Sequence, residues 1–182
     1  MGKVMELLDS SKTNILIEEL TKRIIDSSKS FENIAIIGIK RRGAILADRI
    51  KKNINKSIKF DIISGYLDIT LYRDDLSEVS DIPFLQGTEV NFDVKNKIIV
   101  LVDDVIFTGR TIRAGLDAII DLGRPKKILL AVLVDRNHRE LPIQPDFVGK
   151  FFKTGDNEII NVNLKELDGV DSVTLSYKGG NV

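Results

Sequence analysis

The chain has 182 residues, of which 43% are hydrophobic and 30% charged, and its 27 basic side chains balance 27 acidic ones. This composition predicts one globular domain with a substantial core, and zero net charge gives no argument for nucleic-acid binding. Zero cysteines exclude disulfides and thiolate metal sites, a single histidine makes a histidine-built zinc site implausible, and no apolar run approaches the roughly eighteen residues of a membrane span. We therefore expect a soluble, cytoplasmic protein, in which oxygen ligands and substrate phosphates would hold any metal, as is typical of Mg²⁺.

Helical and strand patterns alternate along the chain. Periodic apolar residues predict helices over residues 11–28, from residue 44 onward, and from residue 112 to about Gly123. Continuous apolar runs predict buried strands over residues 34–39, 98–102 and 128–134. Residues 59–69, weakened in the middle by Ser64 and Gly65, and residues 159–164 are predicted to form two further strands. This order predicts an α/β fold with a mostly parallel central sheet flanked by helices.

The remaining segments are interpreted as parts of the same single domain, residues 1–182. Residues 66–94 become acidic and lose periodicity, which predicts a flexible lid loop. Residues 136–164 are loop-rich and are predicted to form a small hood, and residues 176–182 a frayed tail.

The segment Ile98–Thr111 carries the strongest functional signal. An apolar strand ends in Asp103 and Asp104, and Thr108-Gly109-Arg110-Thr111 then begins a helix. Free backbone N–H groups, hydroxyls and the helix dipole make such a start an anion site. Two carboxylates beside it suit a ligand with vicinal hydroxyls, a phosphate and a divalent metal. An ordinary strand–helix turn capped by an aspartate is the alternative, and it explains one acid and one threonine only.

This segment resembles the signature of the type I phosphoribosyltransferases, which bind 5-phosphoribosyl-1-diphosphate (PRPP). The resemblance implies that Asp103 and Asp104 hold the ribose hydroxyls. It also implies that Thr108, Gly109, Arg110 and Thr111 hold the 5′-phosphate.

A second candidate site is the turn Gly38–Gly43. Two glycines free its backbone, and Lys40, Arg41 and Arg42 surround it with positive charge. Backbone amides and arginine forks bind diphosphate oxygens well, so the turn including Gly43 is interpreted as the diphosphate site. The alternative is a basic turn on the surface. Because ligands bind at the carboxyl ends of parallel strands, we expect Gly38–Gly43, Asp103–Thr111 and Asp135–Arg139 to converge.

Phosphoribosyl transfer passes through a cationic state that water could intercept, so the chemistry calls for a closing lid. Arg73 is the only basic residue between residues 61 and 94. It is predicted to contact diphosphate when the lid closes, and we count it with Asp103 and Asp104 as catalytic. An ordinary exposed hairpin is the alternative for this segment.

Four motifs together resemble the bacterial pyrimidine-operon attenuation regulator (PyrR) family. They are residues 68–75, the signature, residues 123–125 and residues 133–142. The resemblance implies transfer of phosphoribose from PRPP to uracil, giving UMP and diphosphate with Mg²⁺. It also implies UMP-dependent binding of pyrimidine-operon leader RNA, and a homodimer or tetramer. A nucleotide-sensing regulator with little enzyme activity is the alternative function.

The residues themselves disfavour purines. Purine-using relatives have an aspartate base where this chain has Phe107, and a base-reading lysine where it has Asp135. Phe147 and Val148 are predicted to bind uracil, by ring stacking and through the backbone respectively; plain core packing is the alternative for Phe147. A purine phosphoribosyltransferase remains the less favoured reading. For RNA, the candidate residues are Arg41, His138, Arg139 and Lys150.

Overall fold

The computed structural model describes residues 4–72 and 87–178. Within these ranges, strands run over Met5–Leu8 (β1), Ile34–Ile39 (β2), Ile63–Leu67 (β3), Ile98–Ile106 (β4), Lys127–Asp135 (β5), Phe147–Phe151 (β6), Glu158–Asn163 (β7) and Ser172–Tyr177 (β8). The α-helices of the same ranges run over Ser10–Asp26 (α1), Arg42–Ile58 (α2), Arg110–Leu122 (α3) and Lys165–Asp168 (α4). A short 3-10 helix covers Thr70–Tyr72. The alternating order confirms the predicted α/β fold.

The main sheet has five strands in the order β3-β2-β4-β5-β6, and every neighbouring pair is parallel. β2 is buried along its whole length, which explains its continuous apolar run. Helices α1 and α2 pack on one face and α3 on the other, so alternate strand residues enter two separate core clusters. The sheet is therefore shielded on both faces, and ligands can approach it only at its ends.

A second, three-stranded antiparallel sheet has the order β1-β8-β7 and forms the hood. It draws strands from both ends of the chain, so residues 136–164 cover only part of it. Within that predicted segment, β6 belongs to the main sheet, where Val148 pairs with Val132. Ser176 and Tyr177, predicted to fray, lie in β8. These strands are short and flanked by polar residues, so they lack the long apolar run that marked the others.

Helix α2 begins at Arg42 rather than at residue 44, and strand β3 is shorter than the predicted range of residues 59–69. The helix continues to Ile58 and ends at Lys59, which adopts a left-handed conformation with φ of 54°. The Asn55 side chain then accepts a hydrogen bond from Ile62 N at 3.0 Å and donates one to Asp61 at 2.8 Å. Because of this turn, strand β3 begins only at Ile63. Among the described residues, no helix is both long and apolar enough to cross a membrane.

Candidate active site

The carboxyl ends of β2, β4 and β5 lie side by side at one edge of the sheet. Gly38 of β2 pairs with Val102 of β4, and this is the last pair between the two strands. The ribose candidates follow Val102 directly, and Asp103 pairs with Val132 of β5. The two strand-end turns, Gly38–Gly43 and Asp103–Thr111, meet beside this edge. The convergence expected from parallel topology is therefore present.

Asp103 and Asp104 form a carboxyl pair in which Asp103 is buried and Asp104 is half-buried. Asp103 is 5% exposed, and its Oδ1 accepts a hydrogen bond from Asp104 N at 3.0 Å. Burial raises the pKa of the Asp103 carboxyl well above its usual range, and the charge of Asp104 raises it further. Burial also raises the pKa of Asp104, although the nearby Arg42 guanidinium opposes that rise. A pair of this kind can hold a proton, and so can both donate to and accept from vicinal hydroxyls.

The start of α3 is arranged as an anion site. Gly109 precedes the helix with φ of 93°, a conformation that glycine adopts without strain. The Thr108 hydroxyl accepts a hydrogen bond from Arg110 N at 3.3 Å, while the Thr108 carbonyl accepts one from Glu140 N at 3.0 Å. The Arg110 guanidinium contacts Glu140 at 2.7 Å, and Thr111 is half-buried in the first helical turn. All four predicted phosphate residues thus surround one helix N-terminus.

The turn at Gly38–Gly43 lies against the carboxyl pair. A Cβ added to Gly43 would stand 2.6 Å from Val102 O and 3.1 Å from Asp103 Cα, so this approach requires glycine. The peptide bond between Lys40 and Arg41 is cis. Arg41 is exposed, whereas Lys40 and Arg42 are half-buried and form ion pairs with acids of other segments. The turn therefore presents its backbone and its cations beside Asp103.

Arg139 and Asp135 form a buried ion pair that shapes the loop after β5. Asp135 is 1% exposed, and its two oxygens accept hydrogen bonds from Arg139 at 2.9 and 2.6 Å. Arg139 also donates to the carbonyl oxygens of Ile143 at 2.8 Å and Phe107 at 3.1 Å. Its guanidinium thus holds the loop after β5 against the loop after β4. This inward position does not favour the RNA contact predicted for Arg139.

Arg136 lies beside Phe107 at the end of β5, and sequence reasoning did not single it out. It is 5% exposed, its guanidinium carbon lies 4.0 Å from the Phe107 ring centroid, and its Nε donates to the Thr154 hydroxyl at 3.0 Å. A further donor reaches the carbonyl of Glu158 in the hood. Burial lowers the pKa of this guanidinium. Its position directly after Asp135, at the end of a buried strand, was the signal that could have found it.

Comparison with known proteins identifies the family. The model of the phosphoribosyl transferase domain matches residues 3–167. The chain is 51% identical to the bifunctional protein PyrR of Clostridioides difficile, over 96% of this chain and 99% of that one. It is 50% identical to the bifunctional protein PyrR of Acetivibrio thermocellus, over 94% and 93% of the two chains. The chain belongs to the PyrR family of phosphoribosyl transferases.

Solved structures agree with the fold of this PyrR-family chain. The hypoxanthine phosphoribosyltransferase of Staphylococcus aureus matches with a TM-score of 0.70 at 17% identity, covering 96% of this chain and 93% of that one. The enzyme of the same name from Trypanosoma cruzi matches with a TM-score of 0.70 at 14% identity, covering 95% and 96%. At such identities the likeness concerns the fold alone. It confirms the predicted type I phosphoribosyltransferase architecture.

The two residues predicted to bind uracil in this PyrR-family chain lie in β6, in register with the ribose candidates. Val148 pairs with Val132, which in turn pairs with Asp103, and the Val148 carbonyl accepts a hydrogen bond from Arg23 of α1. Phe147 pairs with Ala131, and its half-buried ring packs against the core cluster beneath α1 and α2. These contacts are those of core packing, the alternative considered for Phe147, and uracil binding by the two residues stays a prediction.

The other predicted residues are distributed as follows. His138 is half-buried, with Nε2 2.6 Å from the Thr154 carbonyl, and Lys150 is exposed on β6. Arg73 lies outside the described residues, as does the middle part of the predicted lid, residues 73–86. Of the described RNA candidates in this PyrR-family chain, Arg41 and Lys150 are therefore the exposed ones.

Proposed function

We propose that this PyrR-family chain transfers phosphoribose from PRPP to uracil, giving UMP and diphosphate. The proposal is supported chiefly by the carboxyl pair of buried Asp103 and half-buried Asp104. This pair lies between a glycine turn with three cations and a helix N-terminus that can bind an anion. This arrangement matches the three parts of PRPP in order. The ribose meets two carboxyl groups, and each phosphate end meets backbone amides and cations.

The proposed roles follow from this placement. Asp103 and Asp104 hold the two ribose hydroxyls, and Thr108–Thr111 hold the 5′-phosphate. The turn Lys40–Gly43 binds the diphosphate, and Arg73 contributes to the same end of the substrate. These assignments are supported by the position of the two turns beside the carboxyl pair.

Mg²⁺ fits the residues present. Among the described residues, no group of three or more histidine, cysteine, aspartate or glutamate side chains could hold a metal by itself. Mg²⁺ is commonly bound through one or two carboxylates together with substrate phosphates, and Asp103 and Asp104 offer that number. When bound with PRPP, Mg²⁺ would neutralise charge on the diphosphate leaving group.

In the proposed reaction the bond between ribose C1 and diphosphate breaks, and its electron pair leaves with the diphosphate. A uracil ring nitrogen forms the new bond to C1, and its proton is released to solvent. The protein contributes chiefly positioning and electrostatic stabilisation. The Asp103–Asp104 pair fixes the ribose, and the cations of Lys40–Gly43 stabilise the departing negative charge.

We propose that Arg136, rather than Phe147, borders the base. Two of its donors are engaged by Thr154 and Glu158, and a guanidinium carries five, so others remain to meet the carbonyl oxygens of uracil. Phe107 cannot accept a proton from a purine, and Asp135 is paired with Arg139. Both features favour uracil over purines.

The test is release of diphosphate from PRPP with Mg²⁺, with uracil, hypoxanthine, guanine and orotate supplied in separate reactions. We expect turnover with uracil at least about 100-fold faster than with any other base, because sites built to hydrogen-bond a substrate discriminate strongly. Turnover with hypoxanthine or guanine alone would establish the purine reading. Tight UMP binding without turnover would favour the regulator with little enzyme activity.

RNA binding is the second candidate function. It is favoured by the name of the relatives, bifunctional protein PyrR, and by the exposed cations Arg41 and Lys150, with His138 nearby as a half-buried third candidate. We propose that the chain binds pyrimidine-operon leader RNA when UMP is bound, and does so in the cytoplasm. The homodimer or tetramer implied by the family resemblance stays a prediction.

UMP is expected to tighten binding of a leader hairpin. Because phosphate contacts release counterions, the affinity should fall steeply as the salt concentration rises. Lys150→Gln should reduce the slope of log affinity against log salt concentration by about one, the effect of losing one phosphate contact. Fluorescence anisotropy with and without UMP, at several salt concentrations, measures this. Lys126→Gln, which removes the same charge from an exposed position before β5, is the control for a general effect of surface charge. Equal RNA affinity with and without UMP would contradict the proposal.

A further inference from the structure

Two cations of the diphosphate turn are paired with acids that come from other segments. Lys40 Nζ lies 2.6 Å from Glu89 Oε1, and an Arg42 guanidinium nitrogen lies 2.7 Å from Asp168 Oδ1. Glu89 precedes β4 along the chain, whereas Asp168 ends helix α4 in the hood. The proposed binding turn is thus partly neutralised from two sides by the protein itself.

The backbone of Glu89 is held in place, whereas its side chain is largely exposed to solvent. Its N–H donates to Tyr66 O at 2.8 Å, and its carbonyl accepts from Tyr66 N at 3.1 Å, so the residue is anchored beside β3. Its side chain is 57% exposed. The carboxylate can therefore leave Lys40 for water without any change in the fold.

Asp168 is held in place independently of Arg42. Its Oδ2 accepts a hydrogen bond from Leu164 N at 2.8 Å. Helix α4 and the residues after it are also tied to α2 through Arg49, which contacts Asp171 at 2.7 Å and pairs with Glu166. Arg42 and Arg49 are seven residues apart, and so lie on the same side of α2. The hood would keep its position if the Arg42–Asp168 contact were lost.

Arg42 lies between the hood acid and the carboxyl pair. It is close enough to Asp104 to oppose the rise of the Asp104 pKa. Its Nε is buried and makes no hydrogen bond with the described residues. Arg42 therefore has one N–H donor, at Nε, without a partner among the described residues, while a terminal nitrogen of the same guanidinium is bound by Asp168.

We propose that Glu89 and Asp168 are internal counter-ions of the turn Lys40–Gly43, which keep its cations paired until the substrate's diphosphate displaces them. The proposal rests on the function proposed above. A tethered carboxylate competes at high effective concentration, so each counter-ion raises the Kd of any anion that must displace it. A diphosphate can contact Lys40 and Arg42 together and then displaces both carboxylates, whereas an orthophosphate that contacts one cation displaces only one.

The experiment titrates the full chain with inorganic pyrophosphate, and separately with orthophosphate, by calorimetry at a fixed Mg²⁺ concentration. The variants are Glu89→Gln, Asp168→Asn and both together. Asparagine at 168 retains an oxygen for Leu164 N, and glutamine at 89 replaces an exposed group, so both variants keep the fold. Glu32→Gln is the matched control, since it removes the same charge from an exposed position before β2, at the opposite end of that strand from the turn.

We expect each variant to lower the pyrophosphate Kd by about two- to fivefold, the range that corresponds to breaking one partly exposed ion pair. The double variant should lower the pyrophosphate Kd by about the product of the two single factors, whereas the orthophosphate Kd should fall by about one single factor, and Glu32→Gln should change both values by less than about twofold. Unchanged or weaker pyrophosphate binding in Glu89→Gln and Asp168→Asn would overturn the inference alone. Wild-type protein that binds no pyrophosphate would overturn the proposed function as well. Should Asp168→Asn unfold, Glu89→Gln decides the outcome.

Discussion

Asp103→Asn is expected to reduce turnover with PRPP and uracil by at least about 100-fold, because the ribose would lose the carboxyl group that positions it. The same substitution should raise the thermal stability of the ligand-free protein. Asp103 is 5% exposed, and burial raises the pKa of its carboxyl well above its usual range. Its ionised form is therefore unfavourable in the folded state, and asparagine removes that cost while keeping the oxygen that accepts from Asp104 N.

The pH dependence of this stability gain has a definite sign. A carboxyl group whose pKa is higher in the folded than in the unfolded chain makes the protein less stable as the pH rises between the two values. Differential scanning calorimetry should therefore show little difference between wild type and Asp103→Asn near pH 4, and an increasing advantage of the variant toward pH 8. Asp104→Asn should show the same trend more weakly, because Arg42 opposes the rise of the Asp104 pKa.

Asp117→Asn is the matched control, because it changes an exposed carboxylate of α3 that pairs with Arg113. It should alter neither turnover nor the pH dependence of stability beyond experimental error. Full activity in Asp103→Asn would contradict the ribose assignment. A variant that is less stable than wild type at pH 8 would contradict the stated cost of burying this carboxyl group.

Arg139→Met should lower the free energy of unfolding by about 3–5 kcal/mol, the usual effect of leaving a buried charge without its partner. Asp135 is 1% exposed and would lose both of its hydrogen bonds to Arg139. The carbonyl oxygens of Phe107 and Ile143 would lose a donor as well. Urea denaturation measures the change. Because Phe107 immediately precedes the 5′-phosphate residues, binding of PRPP should weaken in the same variant.

Two further variants test the cause of this loss. Lys12→Met breaks the exposed pair of Lys12 with Asp9 and should cost less than about 1 kcal/mol. Asp135→Asn combined with Arg139→Met should recover part of the stability lost in Arg139→Met, because no buried charge would then lack a partner. A double variant as unstable as the sum of the two single ones would show that the residues act independently.

The parts of the fold that sequence reasoning predicted share one property. Strands β2, β4 and β5 are buried on both faces, so their sequences are continuous apolar runs, and the turns that follow them carry the charged residues. The ends of parallel strands must share one edge, and this rule alone predicts that the turns Gly38–Gly43 and Asp103–Thr111 lie together. The central sheet and the proposed PRPP half of the site could therefore be predicted from local sequence patterns.

The hood and the proposed base site could not be predicted from local sequence patterns. Strands β1 and β8 pair across almost the whole chain, with Met5 opposite Leu175, and local periodicity carries no information about such partners. Phe147 illustrates the same limit, because an aromatic residue after a proline-rich loop looks the same whether its ring faces a ligand or α1. The importance of Arg136 depends on Thr154 and Glu158, which belong to segments whose positions the sequence left open.

The pairing of β1 with β8 also bears on how the protein is made. In the small sheet, β8 lies between β1 and β7, so β1 has no strand beside it in the described structure until residues 172–177 are in place. During synthesis the five-stranded sheet can form while the hood still lacks its central strand. A nascent or truncated chain that ends before Ser172 would therefore contain Asp103 and Arg110 but leave the edge of β1 unpaired, a surface prone to association with other chains. Release of the last hood strand from the ribosome, rather than formation of the main sheet, would thus mark the moment at which the hood sheet is completed and this edge of β1 is paired.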